Sequence, residues 1–269
     1  MKNMNHIVDS YDILFITLDT LRYDVACQEL AAGHLPNLAR LLPEKRWEKR
    51  HSPGSFTYSA HQAFFAGFLP TPTESANHKR LFALTFAGSK TIGDETCVFD
   101  TSDIVTGLAE RGYHTVCIGG VGFFNKLTPL GSVLPNLFHE SHWQRNFGVT
   151  DPESTKNQVK CALEIISRVR SSQRLFLFLN VSALHQPNYF YLPEAIVDSI
   201  KSHAAALRYV DGQLAPLFMK MQTRAPVFCI ICSDHGTAYG EDNYYGHRLA
   251  HEVVWTVPYS EFILPHRFN

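Results

Sequence analysis

Residues 228–248 read FCIICSDHGTAYGEDNYYGHR, an apolar run followed at once by Asp234, His235, Glu241, Asp242 and His247. Carboxylates and imidazoles this close together can hold a divalent cation or move protons. Other polar groups stand where apolar runs stop: Asp19 after DILFITL, and Ser182 and His185 after LFLFLNV. Taken singly, an acid behind a strand reads first as the cap of the next helix, and a lone histidine as a merely hydrogen-bonded one. Three strands that each end in such groups are a different matter, because converging oxygen and imidazole ligands suit a cation such as Zn, Mn or Mg.

Bringing these groups together requires strands that run the same way, and the sequence alternates strands with helices. DILFITLD reads as an apolar strand, LPNLARLL as a short helix and SAHQAFFAGF as another. SDIVTGLAERG is a helix opened by Ser102 or Asp103 and closed by Gly112, before the strand YHTVCIGG. TKNQVKCALEIISRVRSS is an amphipathic helix, RLFLFLNVS a strand, SIKSHAAALRYVDGQLAPLFMKM a long helix and APVFCIIC a strand. This order predicts an α/β fold, a largely parallel sheet with helices on both faces. Ligands of such sheets collect at the carboxyl ends of the strands.

With 269 residues, 45% of them hydrophobic, the chain has the material for one large domain spanning 1–269. Its 24 basic and 25 acidic residues nearly cancel, which argues against a nucleic-acid or anionic-membrane partner. The basic run EKRWEKRH at 44–51 reads as a solvated helix end or loop. Near the N-terminus the apolar stretch Ile13–Leu18 is too short for a signal peptide or a membrane span. The six cysteines, Cys27, Cys97, Cys117, Cys161, Cys229 and Cys232, are scattered in a chain large enough to do without disulfides, so a cytoplasmic setting is expected. Cys229 and Cys232 lack a second pair at zinc spacing and read as buried strand thiols. GGVG at 119–122 opens no helix and is no dinucleotide fingerprint. Oligomeric state is left open.

These segments resemble, in order, those of the sulfatase-like metal-dependent hydrolases of the alkaline phosphatase superfamily. DILFITLDTLRYD is similar to the first strand and metal-binding turn of that family, and LPNLARLL to the helix behind it. TYSAHQAFFAGFLP resembles the nucleophile segment, ALHQPNYFY the D-P-H-x-P-Y segment, and CSDHGTAYGEDNYYGHR the S-D-H-G-x-x-x-G-E segment with its trailing histidine. The resemblance runs from residue 12 to about 264 and implies a three-layer α/β sandwich of the alkaline-phosphatase/sulfatase type. It implies a metal held by Asp19, Thr57, Asp234 and His235, with Thr57 also the nucleophile and His185 and His247 as catalytic or further metal-binding groups. The function implied is cleavage of a phosphate, phosphodiester or phosphonate-type ester, on a small molecule or modified peptide, through a covalent threonine intermediate. A transferase using the same intermediate and an inactive scaffold are the alternatives.

Departures from the family pattern carry information too. Sulfatases need Cys or Ser at the nucleophile position to make formylglycine, and here it is Thr57, followed by Ser59 and His61. Two-metal relatives place an Asp four residues before the His equivalent to His185; this chain has Val181 there. One tight metal site is therefore expected, with a second ion held loosely or not at all. Asp24 reads as a helix cap or a group behind the metal ligands, Glu241 as a loop-ordering residue, and His61 as facing the site or merely packed. Asn125 and Lys126 are candidate substrate contacts. No C-terminal subdomain of the sulfatase kind is expected after TVPYSEFIL. The segment 120–155, rich in Pro, Gly and aromatics, is a candidate lid whose Phe123, Phe124, Phe138, Trp143 and Phe147 either meet an apolar substrate or cover the core.

Overall fold

β1 (Asp12–Leu18) is buried along its length apart from half-buried Phe15, as a strand must be when both faces of its sheet are covered. It pairs in parallel with β7 (Leu175–Val181) on one side and β8 (Val227–Cys232) on the other. β5 (His114–Ile118) and β6 (Glu140–His142) extend the sheet beyond β7, still parallel. Beyond β8 the direction reverses, with β11 (Thr256–Leu264) antiparallel to β8 and β2 (Glu48–His51) antiparallel to β11. The strand order is β2-β11-β8-β1-β7-β5-β6, and two small pairs stand apart from this sheet, β3 (Arg80–Phe82) with β4 (Thr96–Val98) and β9 (Ala238–Tyr239) with β10 (Tyr245–Gly246). This computed structural model describes residues 3–67, 80–82, 96–98 and 103–267. Phe68, Leu69 and Pro70, which end the nucleophile-like segment, and the candidate cap Ser102 lie outside the described residues.

Side chains alternate between the two faces of the sheet. Leu14, Ile16, Leu177, Leu179 and Ile231 pack under α1 (Tyr23–Ala31), α5 (Ser154–Arg168) and α6 (Ile200–Gln222). Ile13, Phe176, Phe178 and Phe228 pack under α2 (Thr57–Ala66), α3 (Ile104–Glu110) and the short turn at Gly122–Phe124. Each wholly buried Leu or Phe contributes ~2 kcal/mol relative to exposure, so the strands are fixed by both layers at once. The result is the three-layer, mostly parallel sandwich that the alternation predicts.

Several elements differ from expectation. EKRWEKRH does not end a helix: Glu48–His51 is the edge strand β2, and its exposed charged side chains suit a sheet edge that must not recruit another strand. LPNLARLL shrinks to a 3-10 turn at Leu38–Arg40, fastened because Asp211 of α6 accepts from Leu38 N at 2.7 Å and Asn37 N at 3.1 Å. α3 is capped by Asp103, whose side chain accepts from Thr106 N at 2.9 Å. The 120–155 segment carries β6 and α4 (Pro129–Val133), and Phe124, Phe138 and Phe147 are buried in the core. Trp143 donates to Gly120 O at 3.0 Å.

At the amino end of the sheet, buried Asp12 accepts from Arg224 Nε at 2.7 Å and Leu175 N at 2.9 Å. Arg224 also donates to the carbonyls of Val169 and Gln173, tying α5 and β7 to the start of β1. No helix among the described residues is long and apolar enough to cross a membrane.

Candidate active site

Register decides which residues meet at the opposite, carboxyl edge. Thr17 pairs with Asn180 of β7 and with Cys232 of β8, so Asp19 and Asp234, each two residues further on, emerge side by side. Thr20 turns the chain there in a left-handed conformation, φ 65°, and its N–H donates to Asp234 Oδ1 at 3.3 Å. His235 N donates to the same oxygen at 3.1 Å. Gly236 follows because an added Cβ would lie 1.9 Å from Val253 O, in the stretch ahead of β11 that includes α7 (Glu252–Trp255).

The first residue of α2 enters from the other face. Thr57 Oγ1 donates to Asp19 Oδ2 at 3.3 Å and lies 3.4 Å from His235 Nε2. The Nδ1 of His235 faces Gly236 O at 2.9 Å and so carries the ring proton, which leaves the Nε2 lone pair pointing inward. That nitrogen is 3.5 Å from Asp234 Oδ2 and 3.9 Å from Asp19 Oδ1. Both of these oxygens are buried without any hydrogen-bond partner among the described residues. Acceptors facing one another with no proton between them are costly to bury. A divalent cation resolves the conflict, and Asp19, Asp234 and His235 offer one ligand atom each within 4.8 Å of one another.

The electrostatics point the same way. Burial, and then the neighbouring Asp234 charge, push Asp19 up to about 6, and burial pushes Asp234 up to about 7. Burial holds His235 below its ordinary value, so its ring is neutral and ligand-ready. A cation among these groups favours both ionised carboxylates.

His185 and His247 stand just outside this group. The His247 ring lies 4.6 Å from that of His235 and 5.4 Å from that of His185. Burial, then electrostatic coupling to His235, His185 and Arg248, lowers His247 to about 3, and its Nδ1 is buried without a partner among the described residues. His185 Nδ1 donates to Gln186 O at 2.6 Å, which leaves Nε2 free to accept. Glu241 is no metal ligand: it accepts from Arg22 and, at 2.6 Å, from Tyr239 N, which orders the loop that carries His247. Asp24 is not the cap of α1 but a first-turn residue, accepting from Arg22 Nη2 at 2.6 Å and from Val25 N at 2.9 Å.

Other sequence candidates bond elsewhere. Ser182 donates to Phe147 O at 2.6 Å and serves the core. Asn125 accepts from Leu127 N at 2.9 Å and Lys126 donates to Ser141 O at 3.3 Å, bonds to their own loop and to strand β6. Val181, at the position of the second-site carboxylate, is buried in the helix-covered core. The neighbouring Asn180 points the other way, and its Nδ2 donates to Asp19 Oδ2 at 3.1 Å. Neither Asn180 nor buried Arg22 was a sequence candidate; a lone amide inside the seven-residue apolar run of β7 was the one available signal.

The sulfatase family model matches residues 11–259. No curated protein matches the sequence. Among solved structures, the chain is similar to the C-terminal periplasmic domain of the phosphoethanolamine transferase EptC from Campylobacter jejuni. The TM-score is 0.62 at 13% identity, over 95% of this chain and 80% of that one. The corresponding domain of EcEptC from Escherichia coli, in complex with Zn, gives a TM-score of 0.64 at 12% identity, over 94% and 73%. A protein in the alkaline phosphatase superfamily from Vibrio parahaemolyticus gives 0.59 at 18% identity, over 95% and 61%. With the family model spanning residues 11–259 and the solved structures sharing the fold, the chain belongs to the sulfatase family.

Proposed function

We propose that this chain is a metal-dependent hydrolase of phosphorus esters, on a small molecule or modified peptide, with Thr57 as nucleophile. One observation carries the reading: the orphaned oxygens of Asp19 and Asp234 face the Nε2 lone pair of His235, and the Thr57 hydroxyl lies 3.4 Å from that same nitrogen. Asp19, Thr57, Asp234 and His235 would hold a Zn, Mn or Mg ion; when bound, it lowers the pKa of the Thr57 hydroxyl and neutralises charge on a substrate oxygen. Thr57 Oγ1 forms a bond to phosphorus while the bond to the leaving oxygen breaks, and Asp19 Oδ2 is positioned to receive the hydroxyl proton. Water then attacks the phospho-threonine and the bond to Oγ1 breaks. His185, whose Nδ1 bonds Gln186 O, can take the proton from that water at Nε2, and neutral His247 above His235 can bond a substrate oxygen.

Phosphorus is preferred to sulfate esters because oxidation at the Thr57 β-carbon, which bears a methyl group, gives a ketone and not the formylglycine aldehyde. The fold resemblance to phosphoethanolamine transferases supports a second reading, transfer of the phospho group to an alcohol instead of water. Aryl phosphates, phosphodiesters, phosphonates and sulfates, assayed with Mn, Zn or Mg, test both. Metal-dependent turnover of a phosphorus ester should fall at least about 10³-fold in Thr57→Ala, and acid-quenched wild type should carry phosphate on the Thr57 peptide. With glycerol present, inorganic phosphate as the main product supports hydrolysis and phosphoglycerol supports transfer. Stripped protein that neither binds a cation nor turns over any ester leaves only the scaffold alternative.

A further inference from the structure

Thr17, His61 and Asn180 have no place in the chemistry above, yet all three are fully buried beside it. His61 Nδ1 lies 2.7 Å from the backbone carbonyl of Thr57, which can only accept, so Nδ1 carries the ring proton. Its Nε2 must then accept, and the hydroxyl of Thr17 lies 3.0 Å away as donor. With that hydroxyl proton committed, Thr17 Oγ1 accepts from Asn180 Nδ2 at 3.2 Å. The same amide nitrogen spends its second proton on Asp19 Oδ2 at 3.1 Å, and that oxygen also accepts from Thr57 Oγ1 at 3.3 Å. Asn180 Oδ1 is fixed by Val121 N at 3.0 Å, which sets which end of the amide is which. The bonds therefore form a ring that leaves Thr57 by its carbonyl and returns to it by its hydroxyl, through α2, β1 and β7.

We propose that Thr17, His61 and Asn180 are positioning residues: their closed hydrogen-bond circuit engages Oδ2 of Asp19 with protein donors, presents Oδ1 to the cation, and holds the Thr57 hydroxyl between them. Without the amide, either oxygen of Asp19 can turn toward the ion, and the carboxylate has no fixed orientation. The rings of Phe124, Phe64 and Phe178, with centroids 5.1, 5.4 and 5.6 Å from that of His61, keep water from substituting for any link. Burial also keeps His61 neutral, as the circuit requires.

The proposal rests on the metal-centre reading, and its test has one arm that needs no metal. Thr17→Val keeps the shape of a buried strand residue but cuts two links, whereas Thr17→Ser keeps both. Calorimetric titration of Mn or Zn into chelator-stripped protein should show affinity about 10- to 100-fold weaker in Thr17→Val, and Thr17→Ser should recover it to within about threefold of wild type. Asn180→Leu carries the same expectation if the valine variant does not fold. Folded Thr17→Val or Asn180→Leu that binds within about twofold of wild type overturns the circuit. In the metal-free arm, ring-nitrogen NMR of wild type should show His61 wholly as the Nδ1–H tautomer with a slowly exchanging proton. A mixture of tautomers, or a fast-exchanging proton, overturns the circuit as well. Failure of wild type to bind any cation counts against the proposed function alone, since the tautomer decides the circuit without it.

Discussion

Two carboxylates share the buried centre, and each divides its oxygens in the same way. Asp234 gives Oδ1 to the N–H groups of Thr20 and His235 and leaves Oδ2 bare; Asp19 gives Oδ2 to Asn180 and Thr57 and leaves Oδ1 bare. The protonation of this pair makes a prediction about pH. Burial raises both above the ordinary carboxylate value of 3.8, to about 6 and about 7, so the fold favours their protonated forms. That contribution to stability is complete below about pH 4 and is lost as the pH rises through 6 to 7. Stripped protein should therefore melt at a lower temperature at pH 8 than at pH 5, and added Mn or Zn should raise the melting temperature more at pH 8. A larger gain at pH 5 would mean that these carboxylates are not the ligands.

At the scale of elements, the loop that carries the D-H-G triplet has no room to shift. Gly236→Ala would drive a methyl group into the Val253 carbonyl, so that carbonyl or the turn carrying Asp234 and His235 must give way. We expect a loss of about 1–3 kcal/mol in denaturant unfolding together with a cation affinity at least about tenfold weaker. An alanine variant that binds cation like wild type would show that the triplet tolerates displacement. β1, β7 and β8 were legible because a strand covered on both faces is apolar throughout, and the acid that ends such a run stands out. The same property hid Asn180 and Thr17: with no alternation along the run, nothing in the sequence says which face a polar residue occupies. β2 was misread because its charges face solvent from a sheet edge, and α1 was missed because YDVACQELA buries only Val25, Ala26 and Glu29 and has no side-chain cap at its start. The six proposed site residues were legible largely through the family motifs; the bonds that orient them depend on a register that no motif encodes.

Across the whole molecule the two ends of the sheet do different work. The amino edge is fastened by Asp12, Arg224 and the carbonyls that Arg224 reaches, all far from the proposed chemistry. Removing one partner leaves the other charge buried, so Arg224→Ala should cost about 3 kcal/mol or more in denaturant unfolding. Its folded fraction should bind cation with wild-type affinity; a variant as stable as wild type would show that Arg174, 3.5 Å from Asp12, suffices alone.

The pairing of β1 with β8 also has a kinetic meaning. Thr20 and Asp234, which bond to each other at the centre, are 214 residues apart in the chain. No fragment of the chain carries the ligand set, so an ion has nothing to hold until the middle of the sheet has formed. Such an ion cannot seed folding; it can only lock what has already assembled. Added cation should slow unfolding and leave the refolding rate unchanged, so that resistance to transient opening, more than speed of assembly, is what a bound cation would confer on this chain.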